Sequence, residues 1–87
     1  MAKPQPPDIS ALFGEVLQRH RAVVGISQEE LALRAGVDRT FISRLERGVR
    51  QPTITTLINL AEALSVSAAD LVGETESAYQ HARTSVR

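Results

Sequence analysis

The stretch SQEELALRAGVDRTFISRLERG, Ser27 to Gly48, decides the fold. It reads as two short helices joined by a tight turn. Ser27 suits an N-cap, and Glu30 three residues on completes a capping box, with Ile26 and Leu31 spaced as a hydrophobic staple around it. Leu31, Ala32 and Ala35 make the inward face, and Gly36 supplies a residue suited to ending the helix. Asp38 caps the second helix, with Val37 and Ile42 as its staple. Ile42 and Leu45 turn inward before Gly48 closes it. Ala32 is small where two helices must cross closely. Two capped helices of about two turns with one glycine between them form a helix-turn-helix pattern.

On a wheel of about 100° per residue, Ile42 and Leu45 gather on one side of the second helix with the Asp38 cap, and Glu46 marks that side's edge. Thr40, Ser43, Arg44 and Arg47 fall opposite, and Arg39 flanks the start. Hydroxyls and guanidinium groups suit the base edges and phosphates of a DNA groove. An ordinary solvated helix face could carry the same charge; the caps, the glycine turn and the small residue weigh against it.

Working outward, 87 residues allow one small domain. Hydrophobic content of 43% supports a core, and 3% aromatic content points to an aliphatic helical one. Without cysteine there are neither disulfides nor thiolate zinc sites. Neither a signal-peptide core nor a membrane-length apolar run occurs, so a soluble, cytoplasmic protein is the expectation. The net charge is zero, which argues against a crude basic binder. That zero is a cancellation. Arg34 to Arg50 holds five arginines against Asp38 and Glu46, whereas Gln51 to Glu76 holds Glu62, Asp70, Glu74 and Glu76 with no base. Such asymmetry turns a polyanion toward the helix pair.

Residues 1–8 are Pro-rich and polar and read as a loose arm. Asp8 or Ser10 caps a first helix to about Val24, with Ile9, Leu12, Phe13, Val16 and Leu17 inward, His20 at the edge and Gly25 as its end. Pro52 forbids continuation of the third helix past the polar loop Val49 to Gln51. Thr53 caps a fourth helix with Ile54, Leu57, Ile58, Ala61 and Leu64 inward. Ser67 caps a short fifth helix that Gly73 is expected to close, with Ser67 and Asp70 as its capping box. Residues 9–73 thus form the domain, and 74–87 form either a frayed tail or a sixth, partner-stabilised helix carrying Tyr79, Ala82 and Val86 on one side. No strand-like alternation appears.

These segments together resemble the DNA-binding domain of lambda-type phage repressors and Cro proteins, the bacterial family also called xenobiotic-response-element-type regulators. The resemblance runs from about Leu12 to Val72 and rests on SQEELALRAGV, ISRLERG, PTITTLINLAEAL and VSAADLV in that order. It implies an all-α, compact five-helix lambda-repressor-like bundle whose third helix, about residues 39–47, enters the major groove. Gln28 looks like the glutamine that binds a phosphate and braces that helix. Arg39, Thr40, Ser43 and Arg44 take positions facing bases or nearby phosphates, Arg47 shares the outward face, and Arg50 and Gln51 resemble backbone-contacting residues. Arg21 and Glu46 are implied to form a partly buried ion pair, the alternative being two separate surface charges. The family's usual dimer contact falls on Ala68, Ala69, Leu71, Val72 and Tyr79. Two departures stand out. Asp38 sits where a neutral cap is common, and Phe41 sits where a tyrosine is frequent, with partly buried packing expected.

The implied function is sequence-specific regulation of transcription by a homodimer on a roughly palindromic operator. The competing reading is a protein-interaction module, for example of antitoxin type, which the arginine-rich helix face disfavours. Double-stranded DNA, a sister subunit and a further protein partner are the partners considered; no cofactor, metal or membrane is implied. Catalysis is not expected. His20 and His81 have bland explanations, Ser27 and Ser67 are caps, Glu29 and Glu30 suit a helix start, and no HExxH pattern or phosphate-cradling glycine loop occurs.

Overall fold

The computed structural model describes residues 7–85, and among them five helices are the only regular elements. Most of the expected 1–8 arm and the last two residues of the tail lie outside the described residues. Helix α1 spans Ile9–Val24, α2 Gln28–Ala35, α3 Arg39–Glu46, α4 Ile54–Ala63 and α5 Ala68–Ser85.

The starts follow the local capping chemistry. Asp8 Oδ1 accepts the Ser10 N–H at 3.0 Å, Ser27 Oγ the Glu30 N–H at 3.0 Å, Asp38 Oδ2 the Thr40 N–H at 2.8 Å, Thr53 Oγ1 the Thr56 N–H at 3.1 Å and Ser67 Oγ the Asp70 N–H at 2.9 Å. Each bond satisfies a donor that the helix itself leaves unpaired. The box at Ser27 is only half made, because the Glu30 carboxylate turns to Arg34 Nε at 2.8 Å instead. That i,i+4 pair is exposed and adds little.

Helix α3 packs against α1 and α2, α4 against α2, and α5 against α1 and α4. Phe13, Val16, Leu17, Leu31, Ile42, Leu45, Leu57, Leu60, Leu64 and Leu71 fill the space between them, and Ala32 and Ala35 are buried with them. Phe41 is half-buried against this core, as expected of a packing residue.

Three expectations need correcting. Ile54 and Ile58 do not point inward, and Leu60 takes the core position. Helix α4 has more apolar residues than one face can hold, and its packing against α2 and α5 selects the Leu57–Leu60–Leu64 side. Ile9 is likewise 46% exposed. Gly73 does not close α5, which runs through it without a left-handed residue and takes in 74–85, so the tail is neither frayed nor a sixth helix there. A mid-helix glycine costs about 0.5–1 kcal/mol relative to alanine. Packing against α1 accompanies it: Leu71 and Thr75 are buried, and Glu74 meets Arg19 Nη2 at 2.6 Å and His20 Nε2 at 2.9 Å.

The crossing of α1 and α3 depends on two glycines. A Cβ on Gly14 would stand 2.5 Å from the carbonyl oxygens of both Leu45 and Glu46, so only a glycine lets the end of α3 sit this close. Gly48 has φ +76° and lies directly on the first turn of α1, where a Cβ would meet Ala11 Cα at 2.7 Å. Its N–H bonds the Leu45 carbonyl while the Val49 N–H bonds that of Arg44, which closes α3 in a Schellman turn.

Candidate nucleic-acid interface

Helix α3 buries Ile42 and Leu45 and leaves Arg39, Thr40, Arg44 and Arg47 exposed, with Ser43 half-buried between them. No carboxylate lies within 4.0 Å of these arginines among the described residues. Arg47 Nε reaches Ser43 Oγ at 3.3 Å. Hydrogen bonds from the Thr40 backbone and side chain, and then the nearby Arg44 charge, hold the Asp38 carboxyl below the usual carboxylate range.

This face is fixed by a buried polar cluster at the far end of α3. Arg21 donates Nε to Glu46 Oε2 at 2.7 Å and NH2 to Oε1 at 3.0 Å, a bidentate pair. Its third nitrogen reaches the Ile26 carbonyl at 2.8 Å, so one guanidinium ties α1 to α3 and to the turn before α2. Gln28 Nε2 adds a bond to Glu46 Oε1 at 2.9 Å. The Glu46 side chain is 4% exposed and that of Arg21 18%, so the pair is not two separate surface charges. Gln28 thus braces α3 directly, from the first position of α2.

Arg50 and Gln51 are exposed in the loop between α3 and α4. Gln51 donates to Ser10 Oγ at 2.8 Å, a link that nothing local in the sequence announces. Among the residues considered for a dimer contact, Ala69 and Val72 are exposed, Ala68 and Tyr79 half-buried. Leu71 is corrected: it is fully buried in its own protomer's core and has no surface to offer a partner. Val72 instead borders a shallow hollow with Ile9, Pro52, Leu57 and Thr75, and this continues along α5 to Tyr79. Arg83 lies 5.5 Å from the Tyr79 ring centre.

Gly14 and the Arg19–His20–Glu74 contact escaped the sequence reading. An isolated glycine on a helix's apolar side is a signal of close packing that could have found the first; nothing in the spacing could have found the second. The described residues contain no group of three or more His, Cys, Asp or Glu side chains able to hold a metal. No single helix among them is long and apolar enough to cross a membrane.

Comparison with known proteins extends these observations. The helix-turn-helix family pattern matches residues 17–71. An uncharacterized HTH-type transcriptional regulator of Sinorhizobium fredii, y4dJ, is 44% identical over 69 residues, covering 79% of this chain and 90% of the relative. The restriction-modification controller protein C.AhdI of Aeromonas hydrophila superimposes with a TM-score of 0.70 at 35% identity, over 71% of this chain and 94% of that one. The clp gene regulator ClgR of Corynebacterium glutamicum gives a TM-score of 0.83 at 28% identity, over 94% and 89%.

Proposed function

The chain belongs to the helix-turn-helix family of DNA-binding transcriptional regulators, not to an enzyme family, and on that premise we propose that it acts as a homodimer on a roughly palindromic operator. The observation that carries this reading is the outward face of α3, cationic and with no carboxylate within 4.0 Å of its arginines among the described residues, on a helix locked by the Arg21–Glu46–Gln28 cluster. A helix held in place and presenting the guanidinium groups of Arg39, Arg44 and Arg47 with two short hydroxyls fits the major groove. Arg44 and Arg39 can fork to the O6 and N7 of a guanine, while Thr40 and Ser43 serve a neighbouring base or its phosphate. Gln28, Arg47, Arg50 and Gln51 surround that face and hold phosphates, setting register without reading sequence.

One protomer of 87 residues offers few base contacts. Pairing two recognition helices about 34 Å apart doubles them and matches a two-fold operator. The exposed Ala69 and Val72 of α5, with half-buried Tyr79 and Ala68 beside them, support an isologous contact there.

The proposal separates two arginines. Arg44→Ala should cost about 1–3 kcal/mol on the preferred operator and little on scrambled duplex. Arg50→Ala should weaken both DNAs alike and lower the slope of log affinity against log salt by roughly one unit. Fluorescence-anisotropy titrations at several salt concentrations measure both. Equal losses on the two DNAs for Arg44→Ala would remove it from the base-reading set.

A further inference from the structure

Two consecutive residues at the start of α1 meet two points of the loop that follows α3. Ala11 supports Gly48 by direct backbone contact. Ser10 Oγ accepts the Gln51 carboxamide at 2.8 Å. Ile9 and Phe13 share the walls of one hollow with Pro52 and Leu57. Arg50 stands between these anchors with its side chain exposed.

We propose that the first turn of α1 is a positioning element for DNA-backbone contact, in which Ser10 fixes Gln51 and thereby the loop that presents Arg50. The inference rests on the reading of that loop as phosphate-contacting. Ser10 is equipped for the task. Asp8 caps α1, so the Ser10 hydroxyl is not needed as its cap and can serve the loop. A carboxamide nitrogen has two hydrogens, and Ser10 engages one, leaving the other for a phosphate oxygen. A loop held in place beforehand loses less conformational freedom on binding, which favours affinity without any new contact. Ser10 is thus a positioning residue acting through Gln51, on a helix with no part in reading sequence.

The test is a double-mutant cycle of Ser10→Ala, Gln51→Ala and the pair, titrated on operator and scrambled duplex over a range of salt. Alanine is well tolerated at the second position of a helix, so the fold should persist, and urea melts check this. Ser10→Ala should weaken both DNAs roughly three- to tenfold, the scale of one lost hydrogen bond. The ratio between the DNAs should not change, and the salt slope should move toward that of Arg50→Ala. Ser10→Thr, which keeps the hydroxyl, should restore binding. In the Gln51→Ala background, Ser10→Ala should add no further loss. Additive losses, or an unchanged salt slope, would overturn the inference. If the unmodified protein bound duplex without salt dependence, the phosphate reading itself would fall. If it bound normally and Ser10→Ala matched it, only the role of Ser10 would.

Discussion

Replacing Arg21 by alanine is expected to destabilise the fold by about 3–5 kcal/mol, the cost of stranding a buried charge. The Glu46 carboxylate, with its side chain 4% exposed, would keep only the Gln28 amide as a partner. Glu46→Ala should cost less. Arg21 is more open to water at 18% exposure and retains the Ile26 carbonyl. This ordering distinguishes a buried lock from a surface bridge, for which both losses would be about 0–1 kcal/mol. Urea melts of the two variants decide it. Losses below about 1 kcal/mol in both would mean the pair contributes as an exposed bridge does.

The second large effect is expected at Gly14. Helix propensity alone favours alanine over glycine by about 1 kcal/mol, so a propensity argument makes Gly14→Ala stabilising. Packing gives the opposite sign. The new methyl would stand 2.5 Å from two carbonyl oxygens and 2.9 Å from a carbonyl carbon of α3, all backbone that no rotamer change can move. Forcing α3 away should cost about 1–3 kcal/mol in spite of the propensity gain, and Gly14→Val more. Gly73→Ala is the internal control, since a Cβ there meets nothing within 4 Å. It should raise stability by up to about 1 kcal/mol. Thermal melts that shift Gly14→Ala upward alongside Gly73→Ala would contradict the close approach of α1 and α3.

What the sequence made legible was local. The caps at Ser27, Asp38, Thr53 and Ser67 lie within three residues of the donors they satisfy, so spacing alone revealed them. The inward face of α3 was equally plain, because its apolar residues, Ile42 and Leu45 with half-buried Phe41 beside them, all turn to the core. In α4 two apolar stripes compete, and the choice between the Ile54–Ile58 side and the Leu57–Leu60–Leu64 side belongs to the neighbouring helices. Gly73 read as a helix end because glycine commonly ends helices. The continuation is tertiary: Leu71 and Thr75 on either side of Gly73 are buried, and α5 packs against α1, whose Arg19 lies 55 positions from Glu74 in the chain. The Arg21–Glu46 pair shows the same limit from the other side. The helical wheel put Glu46 at the edge of an apolar face, and only a family resemblance joined it to Arg21. Leu71 was expected at the dimer contact, and the packing of α5 against α1 and α4 buries it in the core instead.

Sequence reading by α3, presented twice by a homodimer, is tested by selecting bound molecules from a random duplex pool. The predicted result is one enriched consensus of two inverted half-sites, with centres about 34 Å, or a whole multiple of one helical turn, apart. No enrichment over the starting pool, or a single asymmetric site bound by a monomer, would contradict it.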